Sequence, residues 1–148
     1  MNLLTKLKDH ILGRMKRAHF KAVELGLSLA KGERYAGIIY DKNGKPLHHL
    51  VLMQEVIHEL TWLGASRWAK SIGCHLPTVQ ELILIFKNQE SCLDAQWHWS
   101  SEIHGEKSVF IVHLGSGKQT LTYMIDELST IAIRRIPIFS NPNPSIVH

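Results

Sequence analysis

The chain predicts an α+β fold, and three observations predict it. A helical stripe at the front gives way, after Lys31-Gly32, to strand-like runs. Strong turn chemistry, Asp41-Lys42-Asn43-Gly44, separates two of those runs and marks a hairpin. Two short helical stretches with recognisable start signals follow, and four more strand candidates come after them. Helices grouped beside runs of strands, without regular strand-helix alternation, belong to the α+β class.

Each element has its own justification. From Leu3 to Ala30, apolar residues recur at Leu4, Leu7, Ile11, Met15, Ala18, Ala22, Leu25 and Leu29, steps of three or four that put one stripe along a helix. Lys6, Lys16, Arg17 and Lys21 fall largely off that stripe, giving residues 1–31 the character of an amphipathic basic helix. The hairpin strands are Tyr35 to Tyr40 and Leu47 to Met53, and Glu55 to Glu59 reads as a connection. Thr61 is an N-cap, and Trp62, Ala65, Trp68, Ala69 and Ile72 keep helical spacing until Gly73. Leu76-Pro77-Thr78 opens a second helix, with Glu81 as the reciprocal carboxylate of a capping box and Leu82, Ile83, Ile85 and Phe86 as its buried face. Gln96 to Ser101, Val109 to Leu114, Thr120 to Ile125 and Ile131 to Ile136 are the remaining strands. Two helices on one sheet face should bury Trp62, Trp68, Leu76, Leu82, Phe86, Trp99 and Ile133 together. The domain then covers 32–139, and 140–148, with two Asn-Pro pairs, is a flexible tail.

Composition narrows the class. A chain of 148 residues, 45% hydrophobic and 20% charged, can form one domain that buries roughly 68–70% of its unfolded surface. Its apolar runs fall far short of the ~20 residues of a membrane span. Lys6, Lys8, Asp9, Arg14, Lys16 and Arg17 interrupt any signal-peptide core, so a cytoplasmic location is expected. Cys74 and Cys92 are too few for a disulfide framework and wrongly spaced for zinc, and they read as packing thiols. The net charge of +4 and isoelectric point near 9.2 favour an acidic partner without requiring nucleic acid.

Several residues that could carry chemistry lack the context it needs. His48 and His49 would face opposite sides of a strand, and the other histidines are scattered, so no metal site is expected. Gly115 to Thr120 lacks the first glycine and the hydroxyl of a phosphate loop and precedes a strand, which makes it a hairpin turn. No Ser-His-Asp order or Gly-x-Ser-x-Gly elbow is present. Trp97 and Trp99 share a strand face, with His98 on the other, and two indoles there could pack in the core or grip a ligand.

Gly32-Glu33, Tyr35-Ala36-Gly37, His49 to Leu52, Thr61-Trp62, Trp68-Ala69, Leu76-Pro77-Thr78 with Glu81, Trp99-Ser100-Ser101-Glu102 and Arg134-Arg135 follow one another in an order with a known counterpart. From about Gly32 to Pro137 the chain resembles the short bacterial and phage domains of the DUF1566 type, similar to the C-terminal domain of a Legionella collagen-like adhesin. It departs from them at Val79, where they commonly carry a basic residue, and in Gly105 to Tyr123, which lacks their aromatic-rich loop. The resemblance implies a C-type-lectin-like fold and a non-catalytic recognition module. The calcium-dependent sugar binding of the wider lectin-like group is not expected, because no Glu-Pro-Asn, Gln-Pro-Asp or Trp-Asn-Asp phrase occurs.

The function expected is that of a protein-binding module of phage or prophage type, an inhibitor of a host defence complex, with no cofactor. Its partner would be a bacterial protein complex with an acidic surface, met through Lys16, Arg17, Lys21, Trp97, His98 and Glu102. A nucleic-acid-associated protein using the basic helix, a divergent enzyme, and a homodimer paired through that helix are the alternatives.

Overall fold

The hairpin forms where the turn residues put it. In the computed structural model, which describes residues 2–6, 21–89 and 94–139, strands β1 (Glu33–Tyr40) and β2 (Pro46–Met53) pair antiparallel. The Asp41 carboxylate accepts from the Asn43 and Lys45 backbone N–H groups, and Gly44 takes the positive φ of 80° that the turn requires. The last strand, β8 (Ile133–Pro137), pairs with β2, so the first and last strands share a three-stranded sheet in the order β1-β2-β8.

A second sheet has the order β3-β7-β4-β5-β6, built from β3 (Ile57–Leu60), β4 (Trp97–His104), β5 (Ser108–His113), β6 (Gln119–Tyr123) and β7 (Leu128–Thr130). All its pairings are antiparallel except β4 with β7, which meet in parallel at His98 and Ser129. β3 and β7 correct the reading of residues 55–59 as a plain connection and of a final strand starting at Ile131. Both are too short for a period to register, and Glu59 breaks β3 with a positive φ of 57°.

Helices α1 (Trp62–Ser71) and α2 (Val79–Gln89) start at the caps expected of them. The Thr61 hydroxyl accepts from Gly64 N–H, and Thr78 and Glu81 exchange both bonds of a capping box, Thr78 N–H to Glu81 Oε1 at 2.9 Å and Glu81 N–H to Thr78 Oγ1 at 3.1 Å. The N-terminal segment is a correction. Residues 21–24 are helical, but the helix stops at Gly26, not at Lys31-Gly32. Gly26 adopts φ 71°, its N–H reaches Val23 O and the Leu27 N–H reaches Ala22 O, the paired bonds of a Schellman stop. Leu7, Ile11, Met15 and Ala18 of the stripe lie outside the described residues, as does the tail from 140 onward. No helix among the described residues is long and apolar enough to cross a membrane.

The core is divided where a single cluster was expected. Leu82, Ile85, Leu50, Leu52 and Ile133 pack in one cluster, with Phe86 against it. Ala65, Ala69, Leu76, Trp99 and Ile111 pack in another, with Trp62 and Trp68 at its margin. The division follows from strand geometry: in β5, Val109 and Ile111 enter one cluster, and Val112, with Leu114 just beyond the strand, enters the other. A strand buried on both faces separates two cores instead of closing one.

Candidate binding surface

The two arginines of the last strand show how the polar interior is organised. Successive strand residues point to opposite faces, so Arg134 and Arg135 each need a carboxylate on their own side. Arg134 finds Glu33, with its Nε 2.8 Å from Oε2 and its Nη2 3.1 Å from Oε1. Arg135 finds Glu81, with its Nε 2.9 Å from Oε2 and its Nη2 2.7 Å from Oε1. His48 Nε2 also donates to Glu81 Oε2 at 2.9 Å, and with the Thr78 N–H the carboxylate accepts four hydrogen bonds. Glu81 is fully buried. Burial pushes its pKa up, but the Arg135 hydrogen bonds, the Thr78 N–H, the guanidinium charge and His48 outweigh it and hold the carboxyl below 4.5. Glu33 is likewise held down, first by the Arg134 hydrogen bond and against the opposing effect of burial. The capping pattern identified Glu81 as a helix-start residue. Its interior role was legible only in the adjacent charges of Arg134-Arg135, set in an otherwise apolar strand.

Other groups of chemical interest are also committed. Cys74 is buried, its Sγ directed at Ile72 O, and burial pushes its thiol pKa up, away from a nucleophilic thiolate. Cys92 lies outside the described residues. His58, Ser129 and Asp94 form a cluster, with Nδ1 3.0 Å from Ser129 Oγ and 3.4 Å from Asp94 Oδ2. A proton relay needs the serine and the carboxylate on different ring nitrogens, and here both face Nδ1. His49 meets the Tyr35 hydroxyl at 2.9 Å, on the opposite side from the Glu81 partner of His48. Among the described residues, no three His, Cys, Asp or Glu side chains group to hold a metal ion.

Of the residues expected to meet a partner, the described ones sit in different surroundings. Lys16 and Arg17 lie outside the described residues. Lys21 is exposed and 3.5 Å from Glu24, a surface pair worth about 0–1 kcal/mol that leaves its charge available. Glu102 accepts from the Val79 N–H at 2.9 Å and so caps the start of α2. Trp97 is half-buried, edge-on to His113 at 5.2 Å between centroids. Its expected companion Trp99 is fully buried, with Nε1 donating to Leu60 O.

His98 corrects the surface reading outright, because it has no exposed area. Both faces of β4 are covered at this point, so facing away from Trp99 does not mean facing solvent. Its Nδ1–H donates to Gln96 O at 2.8 Å, leaving Nε2 buried and unpaired. Burial lowers the pKa to about 4, with the Gln96 carbonyl and Asp94 only partly opposing it. The unfolded chain therefore takes up this proton first as pH falls. Stability from the neutral ring is complete above 6.5 and is lost progressively between 6.5 and about 4. The full loss is worth up to about 3 kcal/mol. Thermal melts of wild type and His98→Gln across pH 4 to 7 should show a flatter dependence in the variant, and parallel curves would contradict the buried neutral imidazole.

Among the described residues, two clefts differ in character. One, of about 360 Å³, is lined by His58, Glu59, Asp94, Trp97 and Glu127 among others, and is acidic. The other, also about 360 Å³, lies beside the end of α1 and is lined by Trp62, Lys70, His75, Leu76, Ser101 and Arg135, with no carboxylate on its wall. Sequence reasoning passed over Lys70, one polar residue in a region read as a helix end, and counted His75 only among the scattered histidines. No family model matches the chain, and no curated protein matches it.

Proposed function

We propose that the chain is a non-catalytic protein-binding module, with residues 32–139 forming a C-type-lectin-like domain of the DUF1566 type and the segment before them adding basic charge. Support for the fold comes from the meeting of the residues that carry the resemblance: Glu33 with Arg134, Glu81 with Thr78 and Arg135, and Glu102 with the start of α2. The single observation supporting a binding role is that the Glu81 carboxylate is spent internally on four donors, while the two clefts remain open. Inhibition of a host defence complex, in a phage or prophage setting and in the cytoplasm, is the form of this role that rests on the resemblance alone.

The test is affinity purification of the full chain from nuclease-treated bacterial lysate, followed by mass spectrometry and a nucleic-acid assay. A stoichiometric protein partner that survives nuclease and weakens as salt rises is expected. Recovery of nucleic acid, with loss of every protein on nuclease treatment, would replace this reading with the nucleic-acid one. The variant Lys16→Glu/Arg17→Glu/Lys21→Glu should weaken capture if the basic segment takes part.

A further inference from the structure

From the contrast between the two clefts, we infer that the one beside the end of α1 receives an acidic side chain of a partner protein. This rests on the binding-module reading and assigns it a surface. The Lys70 ammonium, in the last turn of α1, has no ion-pair or hydrogen-bond partner among the described residues, and neither does the His75 ring. Arg135 spends Nε and Nη2 on Glu81, which fixes the guanidinium plane and leaves Nη1 uncommitted at a side chain 31% exposed. The Ser101 hydroxyl adds a further donor, while its backbone N–H is held by Pro77 O at 2.8 Å. Lys70, His75, Arg135 and Ser101 therefore line a cleft without a carboxylate in its wall, a charge pattern complementary to an anion.

The rest of the wall favours a carboxylate on a short hydrocarbon stem. Trp62 is anchored by its Nε1–H on Ser100 O at 3.0 Å, so its indole offers a fixed apolar face, with Leu76 beside it. A glutamate side chain has the apolar stem and charged head that such a wall would contact. Nucleic acid would need a longer track of cations, since its affinity comes from many phosphate contacts. The cleft supplies one free lysine, one histidine and one arginine already paired with Glu81.

The experiment titrates isotopically labelled full chain with an acetylated, amidated glutamate-rich peptide at low salt, reading amide shifts. Separate arms use inorganic phosphate and a single-stranded oligonucleotide. Shifts should centre on Lys70, Cys74, His75, Leu76 and Ser101, and Lys70→Glu should weaken the peptide by about tenfold or more. Lys70→Gln, which removes the charge without introducing repulsion at the helix end, should weaken it less but in the same direction. Shifts centred elsewhere, an unchanged affinity in both variants, phosphate binding as tightly as peptide, or a preference for the oligonucleotide would each overturn the assignment. A protein partner still captured from lysate by Lys70→Glu as strongly as by wild type would overturn the cleft assignment and leave the binding-module reading standing.

Discussion

Glu81→Gln is expected to destabilise the domain by about 3 kcal/mol, near the lower end of what breaking a buried ion pair costs, because Arg135 can regain some water. The substitution keeps the volume but replaces one acceptor oxygen with a donor NH₂ group. Four donors then compete for fewer acceptor sites, and the guanidinium of Arg135 loses its counter-charge inside the fold. For a chain of this length each kcal/mol shifts the melting temperature by roughly 2–4 °C, so a fall of about 6–12 °C should be seen. Glu33→Gln is the internal comparison, with a smaller fall expected because the side chain of Arg134 is 37% exposed. Acid should act in the same direction. The carboxyl of Glu81 is held below 4.5, so the stability it confers is present above that pH and is lost as pH drops through its lowered value. A Glu81→Gln melt coincident with wild type at neutral pH would show that the four-donor site does not hold the fold.

Trp99→Ala should cost about 3–5 kcal/mol, the range for emptying a fully buried aromatic site. The indole fills the cluster of Ala65, Ala69, Leu76, Val109 and Ile111, and its loss also leaves Leu60 O without the donor that ties β3 to β4. Trp99→Phe separates the two contributions, keeping most of the bulk and costing about 1–2 kcal/mol for the lost hydrogen bond and the partial cavity. Trp97→Ala, at a half-buried position, should cost clearly less than Trp99→Ala. Urea unfolding of the three variants provides the comparison, and equal losses at Trp97 and Trp99 would contradict the packing described.

That contrast also shows what the sequence could reveal. Alternation correctly placed Trp97 and Trp99 in one strand, but it could not say that β4 is covered on both sides, because that depends on partners distant in the chain. His98 was misjudged for the same reason. Signals carried by a few adjacent residues were legible: the Asp41 to Gly44 turn, the Thr61 cap, the Thr78 and Glu81 box and the Gly115 to Thr120 hairpin all rest on local hydrogen bonding. Strands β3 and β7 were not, since four and three residues carry too little periodicity and their pairing joins segments about seventy residues apart. The N-terminal helix was extended past Gly26 because the apolar spacing continues through Leu29 after the backbone has already turned. The basic cleft was invisible for a related reason: Lys70, Ser101 and Arg135 come from three separate elements.

The non-catalytic reading requires that Glu81 be structural and not reactive. A carboxyl ¹³C titration by NMR reads it in the intact protein. The buried, four-donor carboxylate should titrate below 4.5 in the folded protein. A Glu81 resonance that titrates at or above 4.5 in the folded protein would reveal a carboxyl free to exchange its proton beside an open cleft, and would contradict the non-catalytic reading.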